Sequence, residues 1–258
     1  TVETVDEVPS GALVVFSAHG SPPEDFQQAR ERDLRVIDAV CPLVTRVHNE
    51  AKKYSRQGRK IVLVGHVGHQ EVIGSTGQAN MELVDERQDW SLPEWDRTEE
   101  IAVLTQTTLS VRDTANAVEK IKELHPNAIV RNDICYATTN RQQAVRQLAA
   151  GVDLVLVVGS KKSSNSVRLT EISETSGTPA YLVDDQDELD DRWFHGVDSV
   201  LVTAGASAPE HLVQEIVDRL VQTQGGKVEE SHIVEEDIHF ELPISLRILR
   251  NGEPVSAN

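Results

Sequence analysis

The chain of 258 residues carries 25 Lys and Arg against 42 Asp and Glu, a formal charge of −17, with 39% hydrophobic and 26% charged residues. That balance supports a packed core rather than global disorder, and the acidic excess repels a phosphate backbone, so no nucleic-acid partner is expected. No apolar run of about 18 residues is present, which leaves no membrane span and no membrane partner to expect. The opening TVETVDEVPSGALVVF also lacks the basic and apolar regions of a secretory signal.

Taken in chain order, the first apolar run, 12–16, reads as a strand ending in Ser17-Ala18-His19-Gly20. Cys41-Pro42 then opens a helix over 42–57, with Pro42 suited to a first helical position and Gly58 to the C-cap. A strand at 61–64 runs into Gly65-His66-Val67-Gly68-His69-Gln70-Glu71, and one at 101–104 into Thr105-Gln106-Thr107-Thr108, ahead of a helix over 111–124. Asp133-Ile134-Cys135 leads towards a helix over 140–149. The strand at 154–158 ends in Gly159-Ser160-Lys161-Lys162-Ser163-Ser164-Asn165 before a helix over 167–175. The last strand, 199–202, ends in Thr203-Ala204-Gly205-Ala206-Ser207 before a helix over 209–222. The acidic stretch 184–191 reads as a solvated loop. The tail from Val228, acidic and then apolar through 242–249, reads as a segment packing back on the body.

Val-, Leu- and Ile-rich runs alternating with amphipathic stretches predict an α/β fold with parallel strands buried on both faces. Ligands of such sheets bind beyond the carboxyl ends of the strands, where all five polar loops lie, so the loops are expected to converge on one cavity. A repeat sharpens this expectation. Gly65 follows Cys41, and Gly159 follows Cys135, at the same interval of 24 residues, each pair flanking a helix and a strand. The expected organisation is therefore three quasi-repeated α/β units with small parallel sheets around a central cavity: an incomplete first unit of 1–40 with 220–258, a second at 41–131 and a third at 132–219.

Cys41 and Cys135 are the only cysteines. A disulfide is disfavoured in a reducing compartment, and buried structural thiols compete with metal ligation until the repeat is noticed. Equivalent positions just ahead of two helices favour iron or zinc, because a thiolate at a helix N-terminus is stabilised. Two thiolates are fewer than the three or four that a cubane cluster needs. His66, His69 and Glu71 admit two readings. One is a zinc site, against which stands the lack of the helical H-E-x-x-H spacing; the other is a His that binds phosphate beside a Glu that donates a proton. Solvent-exposed loop polars are the plain alternative. His19 would add a donor at the same end of the sheet. Gly159 to Asn165 resembles an anion cradle at a helix N-terminus without the P-loop pattern. Ser207 is a candidate phosphate contact, although Ser207-Ala208-Pro209-Glu210 also matches a capping box.

Six segments together resemble the LytB family of 4-hydroxy-3-methylbut-2-enyl diphosphate reductases. They are 41–45, 65–71, 105–110, 133–142, 158–166 and 202–209, beginning Cys41-Pro42-Leu43-Val44-Thr45. The resemblance runs from about Ser10 into the C-terminal region. It implies a trefoil of three α/β units around a 4Fe-4S cluster, and a cytoplasmic enzyme of the non-mevalonate isoprenoid pathway. Its reaction reductively removes an allylic hydroxyl to give isopentenyl and dimethylallyl diphosphates. By motif match it implies Cys41 and Cys135 as cluster ligands, Glu71 as proton donor and Thr107 beside the substrate hydroxyl. His19, His69, Thr138, Ser163, Ser164, Asn165 and Ser207 complete the implied substrate shell, and a ferredoxin- or flavodoxin-type electron donor is the implied partner. Val40 and Lys162 stand where the family usually has Thr and Asn. The family also carries a further N-terminal region with the first cluster Cys and another His, and the sequence is expected to start after both. A homologue that binds a diphosphate without turnover is the alternative.

Overall fold

Every strand pairing in the computed structural model, which describes residues 1–243 and 246–247, is parallel. The chain divides into two compact units, the first holding Thr1–Thr107 and Arg112–Asp133, the second Thr108–Val111 and Ile134–Asp237.

The first unit opens with β1 (Leu13–Phe16), α1 (Pro23–Glu31) and β2 (Arg35–Asp38), in which β1 and β2 form a two-stranded sheet. Next come α2 (Pro42–Arg56), β3 (Lys60–Val64), α3 (Gln70–Thr76), β4 (Glu82–Val84), β5 (Ile101–Thr105), α4 (Val111–Leu124) and β6 (Ile129–Val130). The resulting sheet has the order β4-β3-β5-β6. Helix α2 covers one face because Val47, Ala51 and Tyr54 recur at helical spacing and pack with Ile61, Leu63, Ala102 and Leu104. Gly58, at φ +74°, ends that helix as its sequence position predicts.

The second unit runs through α5 (Tyr136–Leu148), β7 (Leu154–Val158), α6 (Ser164–Thr175), β8 (Ala180–Val183), β9 (Val200–Ala204) and α7 (Glu210–Gln224), with sheet order β8-β7-β9. Strand β7 is buried throughout. Val155 and Val157 face Val145, Leu169 and Ile172 of α5 and α6, while Leu154, Leu156 and Val158 face Phe194 and Ile216. Burying each such side chain contributes about 1.5–3 kcal/mol.

The two larger sheets share one design. From β3 the chain moves outward to β4 and returns to β5 on the other side of β3; from β7 it moves to β8 and returns to β9 in the same way. Each sheet therefore reverses its winding between two neighbouring strand ends, where a ligand crevice opens in parallel α/β sheets. Register places Val64 beside Thr105 and Val158 beside Ala204. The predicted repeat is thus a repeat of topology, and the predicted α/β class with small parallel sheets holds.

Some boundaries differ from expectation. Helices α5 and α6 begin at Tyr136 and Ser164 rather than 140 and 167, because Cys135 and Ser163 act as N-caps, accepting from the Thr138 and Ser166 N–H groups. The 184–191 stretch contains a short 3-10 turn at Gln186–Glu188. The tail from Val228 does not pack back over its described part, where Val228, Ile238, Phe240 and Leu242 are exposed, and its apolar stretch at 242–249 lies partly outside the described residues. Among the described residues no helix is long and apolar enough to cross a membrane.

Candidate functional site

The winding reversal between β3 and β5 carries four of the expected residues' closest contacts. His69 is the N-cap of α3, and its Nδ1 accepts the Glu71 N–H at 3.1 Å. That bond leaves the ring proton on Nε2, which can donate. The His19 ring stands edge-on to the His69 ring, with centroids 5.4 Å apart. This approach depends on Gly74, where a Cβ would fall 2.5 Å from the Gly20 carbonyl oxygen, so α3 lies directly against the His19 loop. Burial holds His19 below its ordinary titration range; His69 is pushed down to about 4 by burial and then by the charges of His19, His66 and Arg87. Both rings are therefore neutral N–H donors at neutral pH.

Glu71, the second residue of α3, is buried. Its Oε1 accepts the Thr107 N–H at 2.6 Å and its Oε2 accepts the Thr107 hydroxyl at 2.9 Å. Burial pushes its carboxyl up to about 7 against the pull of those two bonds, and the charge of Asp133 adds to the rise. Near neutrality the group exchanges a proton. In the protonated form the Thr107 N–H still needs Oε1 as acceptor, so the proton sits on Oε2 and the second bond reverses, Oε2–H donating to Thr107 Oγ1. The threonine hydroxyl hydrogen is then free to point elsewhere.

Cys41 is the N-cap residue of α2, and its N–H donates to the Ala18 carbonyl at 3.0 Å, which ties it to the His19 loop. In the second unit Cys135 occupies the equivalent place on α5. The Thr138 N–H donates to its Sγ at 3.3 Å, and the Thr138 hydroxyl lies 3.1 Å from the same sulfur. Both cysteines are free thiols and half-buried. Donors at a helix N-terminus suit a sulfur that carries negative charge. In kind the two thiols fit an iron–sulfur cluster; in number they supply two of the three or four thiolates that a cubane takes.

The second unit gathers its hydroxyls and amide where β7 and β9 end. Ser163 caps α6, and Ser164 and Asn165 form its first turn. Both flanking loops pass close to the first turn of α6, since a Cβ at Gly159 or Gly205 would crowd Ser166 Oγ, and Gly159 has a φ of +153°. Asn165 is buried, and neither its Oδ1 nor its Nδ2 has a partner among the described residues. A buried amide without a partner is able to bond a ligand or a water. Ser207 is exposed on the loop after β9 and does not cap α7, whose N-cap is Pro209. The capping explanation for Ser207 therefore fails.

The zinc reading of His66, His69 and Glu71 is not supported by the way these side chains are used. Gly68 turns the loop at φ +79°, His66 Nε2 meets Glu86 Oε1 at 2.9 Å, and Glu71 is spent on Thr107. Among the described residues, the metal-capable group that does form is His66 with Asp85 and Glu86, and there the Arg87 guanidinium already occupies both oxygens of Asp85. Sequence reasoning missed Asp133, whose charge raises Glu71, and Gln106, whose Oε1 accepts the His66 N–H at 3.0 Å. Both stand inside quoted motifs; the signal was a carboxylate and an amide placed among strand-end residues.

Comparison with known proteins follows the same lines. The family model described as "LytB protein" matches residues 1–221. The 4-hydroxy-3-methylbut-2-enyl diphosphate reductase of Tolumonas auensis is 51% identical over 255 residues, 96% of this chain and 82% of that protein. The protein of the same name from Cutibacterium acnes is 49% identical over 251 residues, 95% of this chain and 78% of its own length. Among solved structures, the E-1-hydroxy-2-methyl-but-2-enyl-4-diphosphate reductase of Plasmodium falciparum superposes with a TM-score of 0.88 at 31% identity, covering 97% of this chain and 81% of that one.

Proposed function

The chain belongs to the LytB protein family, and on that premise we propose that it is a 4-hydroxy-3-methylbut-2-enyl diphosphate reductase. Its reaction removes the allylic hydroxyl reductively and yields isopentenyl and dimethylallyl diphosphates, in the cytoplasm and with electrons from a ferredoxin- or flavodoxin-type donor. The observation that carries this reading is the buried Glu71 carboxyl bonded through both oxygens to Thr107, where burial pushes it up to about 7. A leaving hydroxyl needs a proton at that moment, and a carboxyl held protonated near neutral pH is the group to supply it.

The roles of the remaining residues follow from their chemistry. Thr107 Oγ relays the Glu71 proton to the allylic oxygen, taking one hydrogen from Oε2 as it gives its own. His19 and His69 donate from neutral rings, and Ser163, Ser164, Asn165 and Ser207 donate from hydroxyls and an amide to the diphosphate. Thr138 orders the Cys135 sulfur through its N–H and hydroxyl. Cys41 and Cys135 are the ligands this chain offers a 4Fe-4S cluster. One-electron delivery and a Lewis-acidic iron are the chemistry such a group supplies when bound. We read the chain in three α/β units, 41–131, 132–219, and 1–40 with 220–258.

The test is anaerobic reconstitution followed by incubation with 4-hydroxy-3-methylbut-2-enyl diphosphate and a reduced dye. Formation of both products supports the reductase. Because the sequence holds two cysteines, a second reading has support of its own: a homologue that binds a diphosphate without turnover. Calorimetric binding of isopentenyl diphosphate with no product would select it.

Asn165→Leu separates binding from folding. Replacing an unpartnered buried amide with an apolar group of similar size should stabilise the protein by about 1 kcal/mol, seen as a higher Tm. The same change should weaken isopentenyl diphosphate binding about tenfold, through one lost hydrogen bond to an anion. Unchanged affinity would remove Asn165 from the diphosphate shell.

A further inference from the structure

The segment that delivers His69 and Glu71 is a five-residue loop after β3, and it is held from the β4 and β5 sides by residues to which no role has been attached. As β4 ends, Asp85 is buried, and its Oδ2 accepts the Val67 N–H at 2.9 Å. Asp85 is itself fixed by Arg87. The guanidinium Nε donates to Oδ1 at 2.8 Å, and the Arg87 backbone N–H donates to the same oxygen at 3.1 Å. This arginine contact holds the Asp85 carboxyl well below the usual carboxylate range. Beside it Glu86 Oε1 meets the His66 ring at 2.9 Å, and Gln106 Oε1 takes the His66 N–H at 3.0 Å. The His69 N–H in turn donates to the His66 carbonyl at 3.1 Å. Two consecutive loop amides and one loop ring are thus each seated on a side-chain acceptor, immediately before the N-cap His69.

We propose that Asp85, locked by Arg87 and seconded by Glu86, is a positioning residue that fixes the 65–69 loop so that His69 and Glu71 meet a diphosphate substrate in one geometry. The proposal rests on the functional reading of those two side chains. A buried carboxylate that accepts a loop N–H must stay ionised to accept strongly, and the Arg87 fork keeps it so while remaining largely in solvent. Without it the loop would keep its covalent path and lose its register: Gly68 has no Cβ to restrict it, and Val67 is exposed. A divalent cation at His66, Asp85 and Glu86 is not needed to explain the cluster, because Arg87 already balances Asp85.

The test compares the unmodified protein with Asp85→Asn, Asp85→Ala and Glu86→Gln by amide hydrogen exchange and by nitrogen-15 spectra of the His69 ring. Isopentenyl diphosphate affinity is measured alongside. Asn keeps one acceptor oxygen and Ala none, so Val67 exchange should quicken in the order unmodified, Asn, Ala. The Ala variant should reach about tenfold, the worth of one charge-assisted hydrogen bond. The His69 ring signals should move, and affinity should fall about as much. A role in overall stability alone would instead quicken exchange across β3 and β5 together; that result, or an Asp85→Ala protein with unmoved Val67 exchange and His69 signals, overturns the proposal. If Asp85→Ala does not fold, Glu86→Gln must show the same loop-confined change on a smaller scale, and its absence counts equally against. Should isopentenyl diphosphate fail to bind the unmodified protein, the functional reading falls, while the exchange and ring signals still decide whether the clamp exists.

Discussion

Glu71→Gln is expected to lower turnover by about two to four orders of magnitude, the usual contribution of a positioned general acid, with little change in substrate affinity. Glutamine reproduces the protonated carboxyl in shape: its Oε1 can accept the Thr107 N–H, as Glu71 Oε1 does, and its Nε2 can donate to Thr107 Oγ1, the reverse of the hydroxyl-to-Oε2 bond and the direction the protonated carboxyl takes. What it lacks is a transferable proton. The pH dependence gives a second readout. Glu71 is pushed up to about 7 from an ordinary 4.5 by burial, so the competent, protonated form prevails below about 7, and turnover should fall as pH rises through that value. Linkage has the same sign. Glu71 favours the fold fully at pH below its unfolded value, and that contribution is lost as pH rises from about 4.5 through about 7. The glutamine variant should accordingly show a flatter decline of Tm across this window. Wild-type turnover in Glu71→Gln, measured over the same pH range, would remove Glu71 as the acid.

The second large effect concerns Cys135→Ser. Serine is a good helix N-cap, and its Oγ can accept the Thr138 N–H that Cys135 Sγ accepts at 3.3 Å. Stability should therefore change by less than about 1 kcal/mol. A hydroxyl is a poor partner for iron and sulfide, however, so iron bound after anaerobic reconstitution should fall to background, and turnover with it. Cys41→Ser should do the same from the first residue of the other repeat. Cys41 Sγ makes no cap hydrogen bond, so that variant loses nothing but the ligand. Iron and sulfide held at the unmodified level in both variants would sink the assignment of these cysteines.

Of the five strand runs read from the sequence, β3, β5 and β7 are buried and so are nearly unbroken Val, Leu and Ile; β1 and β9 were legible from the same residue types although they stand at sheet edges and are partly exposed, against the expectation of burial on both faces. Strands β2, β4, β6 and β8 stand at sheet edges, are two to four residues long and half-exposed, and leave no such run. Helix α1 was missed because Pro22-Pro23 reads as a turn, although Pro23 sits at the first helical position, where its missing N–H costs nothing. Of the site, His19, His69, Glu71 and Thr107 could be picked out as polar residues at strand ends. Their pairing could not: Glu71 and Thr107 are 36 positions apart and meet only because β3 and β5 are neighbours. The same holds for Asp85, which follows an edge strand with no recognisable pattern and acts on an amide 18 positions earlier. His66 and His69 look like one motif in the sequence, yet the turn at Gly68 gives them different partners.

The neutrality of the two facing imidazoles has a consequence for how ionic strength acts on this protein. Most sites for phosphate esters rely on Lys or Arg, and added salt weakens them by screening. On the proposed reading the donors to the diphosphate carry no charge, while the molecule as a whole bears −17, so the long-range field would push an anion away and the short-range donors would ignore the surrounding ions. Raising salt from low values should then speed capture of a diphosphate rather than slow it, and leave its residence time nearly constant.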